Sequence, residues 1–114
     1  MAGTMVAVGA VAACAVLASG LAAVGAAAVA GQRLSAAADA SALAAADAAS
    51  GAVPGIPCER AGEIAVAHGA ELEACELDEL IATVTVSTRL GPLEALASAR
   101  AGPPPDSGSQ RPHR

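Results

Sequence analysis

The sequence predicts an α+β protein with a long N-terminal transmembrane helix reaching about residue 49, then a short helix, an antiparallel β-hairpin and a disordered tail. Three observations lead there. Met1–Gln32 carries no charged side chain, and the first one is Arg33. Glycine and proline gather in Gly51–Pro57, directly after an alanine-dense run. Beyond them, Leu80, Ala82, Val84 and Val86 alternate with Ile81, Thr83, Thr85 and Ser87. The expected division is residues 1–50 as helix and extension, 51–101 as a small domain and 102–114 as tail.

An apolar run of 18 or more residues reads as a membrane-spanning helix. Here Met5, Val6, Val8, Val11, Val16, Leu17, Leu21, Val24 and Val29 are spaced by alanine and glycine. At 1.5 Å per residue, Val6–Ala30 is about 37 Å long, enough to cross a roughly 30 Å hydrocarbon layer with some tilt. A cleaved signal would need a basic start and a shorter apolar core. MAGTM has no Lys or Arg, although Ala26-Ala27-Ala28 resembles a cleavage site. A buried helix of a soluble bundle is the other alternative, since alanine is only weakly hydrophobic. Within the span, small residues at Gly9, Ala13, Gly20, Ala27 and Gly31 offer faces for close helix packing in lipid.

The helix is expected to continue past the bilayer. Gln32–Ala49 has no proline and is dense in alanine, the best helix former. Asp39 and Asp47 read as solvated helix surface, or as partners for basic groups on another helix. Gly51, Pro54, Gly55 and Pro57 end it. A short helix follows over Glu59–His68, with Glu59 and Glu63 early, where the dipole favours them. Gly69 is its expected stop. Glu71–Glu79 holds five carboxylates without the spacing of a calcium loop, and reads as a solvated acidic turn. The β-branched stretch after it is the clearest strand. Arg89-Leu90-Gly91-Pro92 is turn chemistry, and the alternation from Leu93 to Arg100 makes a return strand. The tail from Gly102 is rich in proline, glycine and serine, the composition of disorder.

Composition narrows the functions available. The chain has 114 residues and a formal charge of -5, with no lysine and no Phe, Tyr or Trp. An acidic chain argues against nucleic-acid binding and against a polybasic lipid patch. A core of Ala, Val, Leu and Ile buries little area per residue, so the small domain is expected to be marginal. No catalytic constellation is visible: Ser35, Ser41 and Ser50 have no histidine placed to activate them, and His113 is in the tail. There is no glycine-rich phosphate loop. The reading is therefore a non-enzymatic protein without cofactor or metal.

Cys14 lies in the apolar run, where a thiol is a small hydrophobe. Cys58 and Cys75 flank the short helix and form the natural disulfide pair if that part is outside the cytoplasm. Free thiols and metal ligation remain as alternatives, although His68 with two cysteines would still lack one ligand for zinc. His68 itself reads as a helix-end residue.

Gly31-Gln-Arg-Leu-Ser-Ala-Ala-Ala-Asp-Ala-Ser-Ala-Leu-Ala-Ala-Ala46 resembles the R-x-x-A-Q-x-A-A-D-x-A-A-L-A-A-A block of TadE/TadG-like proteins. Arg33, Ala38, Asp39 and Leu43 are the matching positions. The chain is most similar to the short actinobacterial TadE-like proteins encoded beside tight-adherence secretion genes and a helicase. The similarity continues through Pro57-Cys58, Ala61, Ile64-Ala65, His68-Gly69-Ala70, Leu72, Cys75, Val84–Val86 and Ala97–Pro103, and Gly3–Val6 is similar to the group's opening. The resemblance implies a minor pilin-like or pseudopilin-like membrane protein of the Flp/Tad type. Its implied partners are the membrane, other pilin-like subunits and the inner-membrane Tad platform. The charged leader ending in glycine and the glutamate near position five that prepilin processing uses are not seen, so that processing is not expected.

Topology draws on two opposed signals. The positive-inside rule would put Arg33 in the cytoplasm. The cysteine pair and the resemblance put residues 33–114 outside, and one arginine orients weakly. The expectation is a single-pass cell-membrane protein with an extracytoplasmic C-terminal domain, acting as a structural component of a Tad-type pilus or secretion system. The alternative is a secreted or envelope-associated protein released from its N-terminal helix.

Overall fold

The computed structural model describes residues 1–104. Five elements follow in order: α1 (Ala2–Ala49), α2 (Pro57–Ala67), β1 (Glu71–Asp78), β2 (Ile81–Leu90) and β3 (Leu93–Ala101). Contacts divide the chain into two units, Met1–Gln32 and Arg33 onward. The sequence-based boundary at residue 50 marks the end of α1. The packing boundary lies earlier, because the last turns of α1 belong to the core of the second unit.

The first unit is apolar helix throughout. The second begins with the part of the same helix on which the rest of the chain packs. Its buried residues are Leu34, Ala37, Ala38, Ser41, Ala42, Ala45 and Ala46, the three-and-four spacing of one helical face. The helix stops where expected. The Ser50 N–H donates to the Ala46 carbonyl at 2.9 Å, the Ser50 hydroxyl donates to the Asp47 carbonyl at 3.0 Å, and Gly51 takes φ +80°.

Helix α2 starts two residues before the expected Glu59. Ile56 is extended, and Pro57 occupies the first turn, where its missing N–H costs nothing. Its end is a Schellman motif: the Gly69 N–H donates to the Val66 carbonyl and the Ala70 N–H to the Ala65 carbonyl, both at 2.9 Å. Gly69 has φ +75°, so the glycine read as a stop supplies the left-handed residue this cap requires. Ala65 and Ala70, the pair that closes the motif, are both buried.

The sheet has three antiparallel strands in the order β1-β2-β3, one more than the expected hairpin. The acidic turn over Glu71–Glu79 is corrected: most of it is strand β1. Glu71, Glu76 and Asp78 pair with Ser87, Thr83 and Ile81, residues that alternate with the buried Val84 and Val86. Leu72, Cys75 and Leu77 pair with Val86, Val84 and Ala82 and so share the core face. A bulge between Leu72 and Ala74 makes this possible. Leu72 and Cys75 are three residues apart and would lie on opposite faces of a regular strand, but the extra residue Glu73 restores the phase. The Glu73 carboxylate then accepts a hydrogen bond from the buried Ser87 hydroxyl at 2.5 Å.

The two hairpin turns differ. Leu90 pairs with Leu93 around Gly91-Pro92, and Gly91 has φ +63°, with glycine at the first central position as a two-residue hairpin prefers. Asp78 pairs with Ile81 around Glu79-Leu80, but there the positive angle, φ 56°, falls on Glu79. A side chain in that region costs roughly 1–2 kcal/mol. Glu79→Gly is therefore expected to stabilise the domain by about 1 kcal/mol, read as a higher urea midpoint with unchanged slope.

The core is built from small residues. Leu34, Ala37, Ala38, Ala65, Ala70 and Val86 cluster at one end, flanked by Ala95 and Ala97. Ala42, Ala45, Ala46, Ala61, Ala82 and Val84 cluster at the other, flanked by Cys75 and Ala101. Val84, Val86 and Ser41 are the largest fully buried side chains. Gly102, expected to open a disordered tail, instead packs on the β1–β2 turn. A Cβ there would lie 2.9 Å from both the Ile81 Cα and the Leu80 carbonyl oxygen. Residues 105–114 of the expected tail lie outside the described residues.

Candidate functional site

Two features of the molecule bear on function, an apolar helix surface and a cystine. The surface belongs to the first unit. Met5, Val6, Val8, Val11, Val16, Leu17, Leu21 and Val24 are all more than half exposed, and no side of this stretch carries a charge. The most apolar 18-residue window of α1 has a mean hydropathy of 2.2 with none of it buried. A helix apolar on every side is suited to lipid rather than to water. It is long and apolar enough to cross a membrane. The Ser19 hydroxyl donates to the Ala15 carbonyl at 2.8 Å, so it enters lipid already satisfied. Cys14 is a free, exposed thiol on this surface.

The proposed packing residues Gly9, Ala13, Gly20, Ala27 and Gly31 are spaced by four, seven, seven and four. That spacing sets them along one helical face. Nothing lies within 4 Å of a Cβ built on Gly9, Gly20 or Gly31, so the face has room for a neighbouring helix.

The cystine belongs to the second unit. Cys58 and Cys75 are bonded, with Cα atoms 5.8 Å apart. Cys58 is held in the first turn of α2, and Cys75 faces inward from β1 opposite Val84. Helix α2 brings little apolar surface of its own, since only Ala61 and Ala65 are fully buried. Leu72 covers its Gly62, 3.8 Å from where a Cβ would stand. The bond thus fastens a weakly held helix to an edge strand. The intrahelical pair Arg60–Glu63, at 3.0 Å, is exposed and adds little.

The four residues of Gly31–Ala46 singled out in the sequence, Arg33, Ala38, Asp39 and Leu43, separate in the structure. Ala38 is fully buried in the core face, whereas Arg33, Asp39 and Leu43 are exposed. Leu43 is 56% exposed, with Asp39 and half-buried Asp47 four residues to either side of it along α1. His68 is exposed at the end of α2. Among the described residues, no group of three or more His, Cys, Asp or Glu is placed to hold a metal ion. His113 lies outside the described residues.

Sequence reasoning considered Ser41 only as a nucleophile and missed its burial, and it passed over the Glu73–Ser87 pair. The Ser41 hydroxyl is fully buried and has no hydrogen-bond partner. It lies four residues after buried Ala37 and four before buried Ala45, on the core face of α1. Comparison of the chain with protein-family models, with curated proteins and with solved structures gave no match.

Proposed function

We propose that this protein is a membrane-anchored, minor pilin-like or pseudopilin-like structural component of a Tad-type pilus or secretion system. One observation carries the reading: a helix apolar enough to span a bilayer runs without a break into the core of a small, cystine-bonded domain. A stable disulfide belongs to an oxidising compartment, and the Cys58–Cys75 bond supports an extracytoplasmic position for the domain. The continuous helix joins anchor and domain without a loop, so that load on the domain is borne by the span. The likeness of Gly31–Ala46 to the TadE-like block supports the more specific pilus assignment. Exposed Arg33, Asp39 and Leu43 are then the residues of that block available to other pilin-like subunits or to the inner-membrane platform.

Thiol labelling in intact cells tests the topology. In a Cys14→Ser background, a membrane-impermeant maleimide is expected to modify Cys58 and Cys75 only after reduction. Labelling that requires lysis but no reduction would place the domain in the cytoplasm with free thiols. The pilus assignment would then be abandoned.

A further inference from the structure

We propose that copies of this domain dock end to end, the β2–β3 turn of one entering a groove at the opposite end of the next. Both surfaces belong to the unit that begins at Arg33. The inference rests on that unit alone and is independent of the pilin reading.

The two ends of the sheet differ in shape. Strand β2 runs about 30 Å from Ile81, beside the β1–β2 turn, to Leu90, beside the β2–β3 turn. At the Leu90 end the sheet narrows to a two-residue hairpin, whose last pair, Leu90 and Leu93, is 40% and 71% exposed. Both lie on the strand face that carries Val84, Val86, Ala97 and Ala99 farther along, so they continue the core face beyond the core. The Ile81 end has a recess instead. A groove of about 280 Å³ lies between the last turns of α1 and the end of the sheet. Leu43, Ala46 and Asp47 line it from the helix, and Leu80, Gly102 and Pro103 line it from the sheet side. It therefore opens in the layer between helix and sheet, which is the layer that Leu90 and Leu93 of a copy placed in line would enter.

The charges agree with this order. Asp78 and Glu79 at the β1–β2 turn, Asp47 in the groove and the last carbonyls of α1 make the groove end negative. Arg100 lies one row in, across Thr83 from Glu76, and is offset by it. At the other end Arg89 is exposed on the outer face, next to Leu90. Glu94 is its cross-strand neighbour, but the ion pair formed among the described residues is Arg60–Glu63, which leaves the Arg89 guanidinium open to another partner. Asp78 is on that same outer face. A copy in line thus brings leucines to the groove and Arg89 to Asp78 together. Two like ends would instead set arginine against arginine or carboxylate against carboxylate, an arrangement that like charges oppose. Docking leaves a free turn at one end of each pair and a free groove at the other, so the contact propagates into an open row. A hairpin tip in a groove buries less than a standard interface of roughly 1,600 Å². The contact is therefore weak, and covalent trapping is the suitable readout.

Pro92→Cys and Ser50→Cys put one thiol beside the turn and one beside the groove. Each is made in full-length protein with Cys14→Ser, in dodecyl maltoside micelles, and one of the two carries a larger tag. A short bis-maleimide is added, to which the bonded Cys58 and Cys75 are inert. Circular dichroism shows that each variant folds. The expected result is a crosslink between the two variants when mixed, and none within either alone. Leu93→Asp in the Pro92→Cys copy should abolish it. Arg89→Glu in that copy should weaken it, and Asp78→Arg in the other should restore it, so the outcome stands even if Leu93→Asp does not fold. Absence of the mixed product, or equal product within the unmixed variants, would overturn the proposal. So would a mixed product indifferent to Leu93→Asp and to the charge exchange, which is the result expected if paired β3 edges or packed apolar helices hold the copies together. A mixed product that forms only after deletion of residues 105–114 would give the groove to that segment and overturn it as well.

Discussion

Replacing Cys58 and Cys75 with serine is expected to lower the stability of the domain by about 3 kcal/mol, a figure that follows from the loop the bond closes. The two cysteines are 17 residues apart, and the closed segment comprises most of α2 and half of β1. Stabilities of small domains run at roughly 0.05–0.15 kcal/mol per residue, so about 70 residues have on the order of 4–10 kcal/mol in all. The bond thus supplies a large share. Its loss should be uneven, because Ala61 and Ala65 are the only fully buried residues of α2. Amide exchange in α2 should accelerate before exchange in β2, whose Val84 and Val86 are wholly enclosed. Urea unfolding of the full-length protein in micelles, followed by circular dichroism with and without reductant, measures the total. A midpoint unchanged by reduction would show that the core holds α2 unaided.

Ala42→Leu is expected to be about as costly, near 3 kcal/mol, from overpacking. Ala42 is fully buried on the face of α1 that meets Ala82 and Val84. Alanine on both surfaces leaves a larger side chain nowhere to turn, so helix and sheet must separate. The adjacent position gives the contrast. Leu43→Ala removes more side chain, yet Leu43 is 56% exposed, and its effect on stability should stay within about 0.5 kcal/mol. The same unfolding measurement compares them. If the proposed function holds, Leu43→Ala should disturb assembly while leaving the domain folded, whereas Ala42→Leu should disturb assembly only by weakening the domain.

Much of this architecture is legible in the chain, for identifiable reasons. The uncharged run to Gln32, the Gly51–Pro57 break, the Gly69 stop and the alternation around Val84 each present a contrast between neighbouring residues. The failures lie where contrast is absent or out of phase. In Gln32–Ala49 two thirds of the positions are alanine or serine, so the buried stripe from Leu34 to Ala46 shows little contrast with the residues beside it. Strand β1 alternates, but Glu73 shifts the period midway, and four carboxylates on its outer face and bulge outweigh Leu72, Cys75 and Leu77. Gly102 sits in a proline-rich segment, and only the backbone of Ile81 beneath it explains why a glycine is there. The cystine could be anticipated because just two cysteines lie outside the apolar run. What they do together, fastening α2 to β1, depends on a third strand that the sequence pattern hid.

Strand β3 pairs on one side only among the described residues, and its open edge is long, unbulged and rich in alanine and leucine, the kind of edge that invites self-association. Two such edges could meet head to tail about Ala97, setting Glu94 opposite Arg100 twice. The course of α1 fixes how two such domains would be turned. From Leu34 to Ala46 it passes the same two clusters, in the same order, as β3 does from Ala95 to Ala101. A head-to-tail meeting of two β3 edges would therefore set the two Leu34–Ala46 segments antiparallel and put the two Arg33 residues at opposite ends of the pair. The open edge thus carries a polarity, and any copy that docks there must arrive inverted.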